Sequence, residues 1–253
     1  MIRGLYSSYS GMKAMLLKQD VVAANLANAD SVGYKEDFAV IQAYPRRELT
    51  RVEGRGDPVR EVELGAIGDG SGGSLVGSIH TDFSQGPLRE TGRRTDLALE
   101  GEGFFVVRDE SGASYYTRAG NFHLDSEGRL VTPEGRFVLG EDGNPIQVGD
   151  GTLEVLRDGS ITVDGEPRGK LMLAAFADTG SLTKVGDGLF SGTGAGPATG
   201  VAVHQGYLES SNVDAVEQMV AMIVGFRTYQ SNQRLVQVQD RTLERLINEV
   251  GRV

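Results

Sequence analysis

The sequence predicts a mixed α and β protein, with long N- and C-terminal helices packing as coiled-coil-like elements and a central all-β antiparallel domain. Three observations predict it. Glycine is concentrated in the middle: residues 1–45 hold three, residues 211–253 hold two, and the 165 residues between them hold 31. Formal charge divides the same way, with both ends balanced, −1 over residues 46–80 and −9 over residues 81–210. Apolar residues recur at steps of three and four in both ends, but in short runs between turn residues in the middle. The resulting division is 1–45, a helical assembly segment; 46–80, an extended linker or loop; 81–210, the β domain; and 211–253, a second helical assembly segment.

In the first segment a seam runs through Leu5, Tyr9, Met12, Leu16, Gln19, Ala23 and Leu26. Gly4 and Gly11 weaken its first turns by roughly 1 kcal/mol each relative to alanine, so the helix is marginal in isolation. The run ANLANADSVGYK (24–35) ends it. Asn25 and Asn28 lie on one side of the helix, flanking Leu26, where their amides suit a neighbouring helix or the freed carbonyls of the last turn. Asp30 and Ser31 favour leaving the helix, and Gly33 can take the left-handed conformation for the exit into Tyr34 and Lys35.

The middle reads as antiparallel strands. Short runs at Tyr115–Thr117, Phe122–Leu124, Leu130–Thr132 and Phe137–Leu139 follow the longer Asp96–Val107, separated by Gly-containing triplets such as Ser126-Glu127-Gly128 and Pro133-Glu134-Gly135. A second group follows at Leu153–Leu156, Ser160–Val163 and Leu171–Phe176. That spacing leaves no room for crossover helices and predicts a Greek-key or barrel-like domain. Residues 192–197 (GTGAGP) read as loop.

The C-terminal seam is the clearest: Met219, Met222, Phe226, Tyr229, Gln233, Val236, Asp240, Leu243, Ile247 and Val250, with Gln233 and Asp240 as polar exceptions. Ser211 and Asp214 stand at capping-box spacing, which places the helix start near Asn212, and Gly251 closes it. A helix this long with one narrow apolar seam wants a partner. Both ends form either one coiled pair within the chain or adhesive ends that order against neighbouring subunits.

Chemistry is sparse. With no cysteine, neither disulfide nor thiolate metal site is possible, and a net charge of −10 argues against nucleic acid as partner. No apolar run of bilayer length exists, so no transmembrane segment is expected, and the start MIRGLYSSYSGMKAML lacks the apolar core of a cleavable signal peptide. His80, His123 and His204 are isolated, with His123 expected to face outward on a strand. Gly101-Glu102-Gly103 leads straight into a strand and reads as a backbone device, not a phosphate cradle. Asp142-Gly143, Asp158-Gly159 and Asp164-Gly165 read as turns, because they lack the period of a calcium loop. No catalytic, cofactor-binding or metal-binding residue is assigned, and an enzyme is not expected.

MIRGLYSSYSGM and ANLANADSVGYK together resemble the N-terminal signature of the axial proteins of the bacterial flagellum, the family of rod and hook subunits. The resemblance continues through TDLALEGEGFFVV (95–107), YTRAGNFHLDSEGRLVTPEGRFVLG (116–140) and QGYLESSNVDAVEQMVAMI (205–223), in the family's order. It implies a structural subunit of the basal-body rod, assembling helically into the drive shaft that transmits torque, with terminal helices that order on assembly between subunits. It also implies export through the flagellar type III apparatus without a cleaved signal peptide, and a place in the basal body spanning the periplasm. The partners implied are further copies of the chain, other rod and hook proteins, the export apparatus and the surrounding ring proteins. Length and the Gln205–Ile223 run resemble a rod subunit more than a hook subunit, and the distal-rod type is favoured; a proximal-rod or short hook-type subunit is the alternative within the family. A secreted ligand-binding β module with helical oligomerisation ends is the alternative outside it.

Overall fold

The computed structural model describes residues 2–45, 47–55, 60–70 and 72–250. The chain forms two compact units, one of Met1–Ala24, Asp37–His80 and Val216–Val253, the other of Asn25–Glu36 and Thr81–Ala215.

The first unit is built on two helices, α1 (Ile2–Ala27) and α2 (Ala215–Val250). α1 is rich in alanine, leucine, methionine and lysine and meets no proline, so nothing interrupts its ladder before the Asn28–Ser31 turn. The two helices meet antiparallel: Gly4 lies against Gln239, Gly11 against Asn232, and Gln19 against Gly225. α2 begins at Ala215, three residues beyond the expected start at Asn212. Asp214 immediately precedes it, where a carboxylate suits the positive end of the helix dipole, and Asn212 is drawn into other contacts described below. Gly251 lies outside the described residues.

Of the extended linker or loop expected over residues 46–80, residues 47–55, 60–70 and 74–80 are strand. β1 (Asp37–Ala43) pairs with β4 (Ser74–Thr81), and β2 (Arg47–Arg55) pairs antiparallel with β3 (Arg60–Gly70). The register sets Val52 opposite Glu63 and Glu53 opposite Val62. Glu61 and Glu63 alternate with Val62 and Leu64, a period of two that signals a strand even where charge suggests a solvated loop.

The second unit carries sixteen strands: β5 (Leu88–Glu90), β6 (Leu97–Glu100), β7 (Phe104–Arg108), β8 (Ser114–Thr117), β9 (His123–Leu124), β10 (Leu130–Val131), β11 (Phe137–Val138) and β12 (Leu153–Val155) come first. β13 (Ser160–Val163), β14 (Glu166–Lys170), β15 (Leu173–Ala175), β16 (Thr183–Gly186), β17 (Leu189–Ser191), β18 (Gly196–Pro197), β19 (Ala202–Gln205) and β20 (Tyr207–Glu209) complete it. A nine-stranded sheet runs β16-β17-β8-β7-β11-β10-β9, with β15 bridging β7 and β18; β12-β13-β14, β19-β6 and β20-β5 form smaller ladders. Every one of these pairs is antiparallel, as the turn spacing predicts. The GTGAGP run contributes β18, a correction to its reading as loop: its Gly196-Pro197 end completes the ladder on β15.

β7 is covered on both faces. Phe105 and Val107 point into the main core with Leu97, Leu99, Phe122, Leu130 and Ile161, while Val106 packs with Leu139 and Ala174 on the other side. Phe104 joins Phe83, Phe176 and Phe190 in edge-to-face contacts, with ring centres 5.1–5.9 Å apart.

The acid–glycine pairs are turns: Gly143 N donates to Gly140 O and Gly159 N to Leu156 O, and Asp164-Gly165 links β13 to β14. The Ser126-Glu127-Gly128 triplet is a turn too, closed by Gly128 N to Asp125 O. The Asp125 carboxylate accepts from the Arg129 and Glu127 backbone, Asp142 from Asn144, and Asp158 from Ser160, which holds all three below the ordinary carboxylate range. Because these pKa values are depressed on folding, the stability they supply is complete above the unfolded value of 3.8 and is lost as pH falls through the folded values. Urea midpoints measured at decreasing pH should therefore drop below pH 3.8 in the native chain. A variant carrying Asn at all three positions should show a flatter acid limb.

Candidate functional site

The residues that carry the most chemistry sit where the chain leaves α1. The helix unwinds through bonds from Asn28 N to Asn25 O and from Ser31 N to Asn28 O, and the Ser31 hydroxyl donates to the Asn28 side chain. Gly33 follows at φ 65, the left-handed conformation the sequence suggested. A Cβ there would lie 2.4 Å from Ala119 N, so the turn requires glycine twice over. Asn25 is buried and accepts from the Tyr34 hydroxyl at 3.2 Å, which fastens the exit turn to the helix it leaves.

Lys35 is fully buried, as is Glu209 on β20. The Lys35 ammonium donates to Glu209 Oε1 and to Ser84 O, both at 2.6 Å. Glu209 Oε1 also accepts from Gly86 N at 2.9 Å, and Oε2 accepts from Arg118 Nη1 at 3.3 Å. The backbone carbonyl of Glu209 accepts from Gly33 N at 2.8 Å, so one residue holds both ends of the Gly33–Lys35 turn. Arg118 donates further to Gly101 O at 2.6 Å and stacks 5.3 Å from the Phe104 ring centre. Its Nε is buried without a hydrogen-bond partner.

Two cations thus share one carboxylate in a dry site. Burial pushes the Lys35 ammonium below its ordinary pKa, with the Glu209 charge and hydrogen bond opposing that shift, and Arg118 is lowered for the same reason. Lys184 adds a third cation at the margin: it donates to Lys35 O at 2.9 Å with its ammonium 3.8 Å from the Tyr34 ring centre. Asn212 completes the clasp, accepting from Glu36 N and donating to Asp82 O.

Of the residues the sequence singled out, Asn25, Gly33, Tyr34 and Lys35 come together here. Glu209, Arg118 and Lys184 were not singled out, and Asn212 was read only as the start of the C-terminal helix. Arg118 and Glu209 lie in the runs YTRAGNF and QGYLESSN, each a charge at the end of a strand pattern, and that mismatch was the available signal.

The helix seams divide. Leu5, Met12, Leu26, Met222, Tyr229, Val236 and Leu243 are half-buried. Tyr9 (61% exposed), Leu16 (48%), Met219 (51%), Phe226 (53%) and Ile247 (71%) face solvent, as does Ala23; the Val250 side chain lies outside the described residues. Val216, Val220, Ile223, Val224, Leu235 and Val238 are exposed too, so α2 carries a long uncovered apolar surface.

His80 contacts Ser78 and stacks on Phe38, His204 contacts Glu100, and His123 is exposed on β9. Among the described residues there is no group of three or more histidine, aspartate or glutamate side chains able to hold a metal, and no helix long and apolar enough to cross a membrane. A clasped turn after α1 and a long helix with exposed apolar residues point to a class: a subunit suited to assembly.

Family models identify which assembly. Residues 5–35 match the "Flagella basal body rod protein" model, residues 98–167 the "Flagellar hook protein FlgE/F/G D1 domain", and residues 204–249 the "Flagellar basal body rod FlgEFG protein C-terminal". The flagellar basal-body rod protein FlgG of Bacillus subtilis is 34% identical over 98% of this chain and 99% of its own length. FlgG of Agrobacterium fabrum is 34% identical over 94% and 96%, and FlgF of Caulobacter vibrioides 31% over 96% and 95%. The chain belongs to the flagellar basal-body rod family, and is a non-enzymatic structural subunit of the rod.

Proposed function

We propose that the chain is a distal-rod subunit of the FlgG type, assembling helically through the exposed face of its terminal helices to form a shaft that transmits torque. The observation that carries this reading is the uncovered apolar surface of α2, with Met219, Phe226 and Ile247 each more than half exposed. A run of exposed apolar side chains along one helix marks a contact surface, and end-to-end similarity to rod proteins supports further copies and neighbouring rod and hook subunits as the occupants. Coiled-coil packing at that contact is the form the threes-and-fours spacing favours. The two FlgG relatives at 34% identity support the distal type, while FlgG and FlgF of Caulobacter vibrioides are level at 31%. Export through the type III apparatus, contact with the surrounding rings and a position spanning the periplasm belong to the same reading.

Replacing Met219, Phe226 and Ile247 together by serine tests it. Each buried apolar side chain contributes roughly 1.5–3 kcal/mol, so the concentration needed for rod growth should rise at least about a hundredfold. The thermal unfolding of the second unit should not change. Sedimentation of growing rods reads the first, and circular dichroism the second; unchanged growth would refute the proposed contact.

A further inference from the structure

Beside the half-buried seam residues, side-chain amides of α1 and α2 face glycine across the pair. A Cβ on Gly4 would lie 2.4 Å from Gln239 Nε2, one on Gly11 would lie 3.2 Å from Asn232 Nδ2, and one on Gly225 would lie 3.4 Å from Gln19 Cγ. Gly4 and Gly11 are one heptad apart, as are Gln239 and Asn232, so the two contacts repeat the same geometry along the antiparallel pair. Gln239 Oε1 is buried at this contact with no hydrogen-bond partner. Ser8, between the two glycines, is buried as well.

We propose that Gln19, Asn232 and Gln239 set the register of the α1–α2 pair, with the facing glycines as their receptors. A purely apolar antiparallel seam is nearly unchanged by a slip of seven residues, because leucine, valine and methionine substitute for one another. Amides are not interchangeable in this way. A one-heptad slip in one direction sets Gln239 against Gly11 but carries Asn232 onto Lys18. A slip in the other direction sets Asn232 against Gly4, faces Gly11 with Gly225, and carries Gln19 from Gly225 to the bulky Gln218. Only the observed alignment gives all three amides a glycine. The glycines that weaken the N-terminal helix in isolation are thereby the residues that let it pair in one way. The device acts inside a single chain and goes beyond the contact between copies proposed above.

The chain contains no cysteine, so introduced pairs cross-link without background. Counting along the pair from the three glycine–amide contacts places Ser8 level with Leu235 and Val236, of which Val236 is the half-buried one. In dilute full-length protein, Ser8→Cys with Val236→Cys should form a disulfide at least about tenfold faster than Ser8→Cys with Tyr229→Cys or with Leu243→Cys, the heptad-shifted pairs. Adding Asn232→Leu and Gln239→Leu should bring all three rates within about threefold while leaving the helices as stable as before. Retention of a single fast pair in the double-leucine background would overturn the proposal, and so would unfolding of the helices, because leucine at both positions should favour pairing in every register. Rod growth does not enter this readout, so failure here is distinguishable from failure of the assembly reading.

Discussion

Replacing Glu209 by alanine should destabilise the second unit by about 3–5 kcal/mol, the range for removing one partner of a buried ion pair. The cause is the charge balance of the clasp. Lys35 and Arg118 would remain buried without the carboxylate they share, in a site where desolvation already disfavours both cations. Asp82 and Glu102 act on Lys35 and Arg118 as weaker charge partners and replace little of the loss. Lys35→Met should behave differently. It leaves Arg118 and Glu209 as a one-to-one pair and fills the space of the stem with apolar atoms, so its cost should be about 1–2 kcal/mol, mostly from the lost bond to Ser84 O. Urea unfolding of the two variants at neutral pH reads the difference. Equal losses would show that the cluster does not work as two cations on one carboxylate.

Gly33→Val should cost about 3 kcal/mol or more, from two sources that do not relieve each other. A β-branched residue at φ 65 carries roughly 1–2 kcal/mol of backbone strain. Its Cβ would also press against backbone, 2.4 Å from Ala119 N and 2.5 Å from Arg118 C, which no side-chain rotation removes. Relief requires the exit turn to lift from the sheet, breaking the bond from Gly33 N to Glu209 O and pulling Lys35 from its carboxylate. The expected result is a chain whose β core still folds but whose residues 25–36 become open to protease. A Gly33→Val variant as protease-resistant as the native chain would show that the turn is not fixed in this way.

How much of this was legible in the sequence follows from the range of each interaction. The strands Ser160–Val163 and Phe104–Arg108 and the turns at Asp125–Gly128 are set by neighbours a few residues away, and their alternation and turn residues show it. Gly33 was legible because a left-handed turn after a helix has a residue preference of its own. The partners of Lys35 were not, since Glu209 stands 174 residues away and a lone lysine beside a tyrosine carries no mark of a buried ion pair. The asparagines, expected to bond a neighbouring helix or the freed carbonyls of the last turn, accept from hydroxyls of the exit turn, Asn25 from Tyr34 and Asn28 from Ser31. On α2, Gly225 and Asn232 face α1, each one position before the seam residues Phe226 and Gln233. Hydrophobic periodicity finds where apolar residues line up, and in this helix that line lies beside the contact made within the chain.

Cryo-electron microscopy of intact basal bodies carrying a tagged copy of this subunit tests the central claim most directly. The tag should decorate the rod, at its distal part, with Met219, Phe226 and Ile247 buried against helices of neighbouring subunits. A rod without the tag, or a rod in which those three side chains remain open to solvent, would contradict the account.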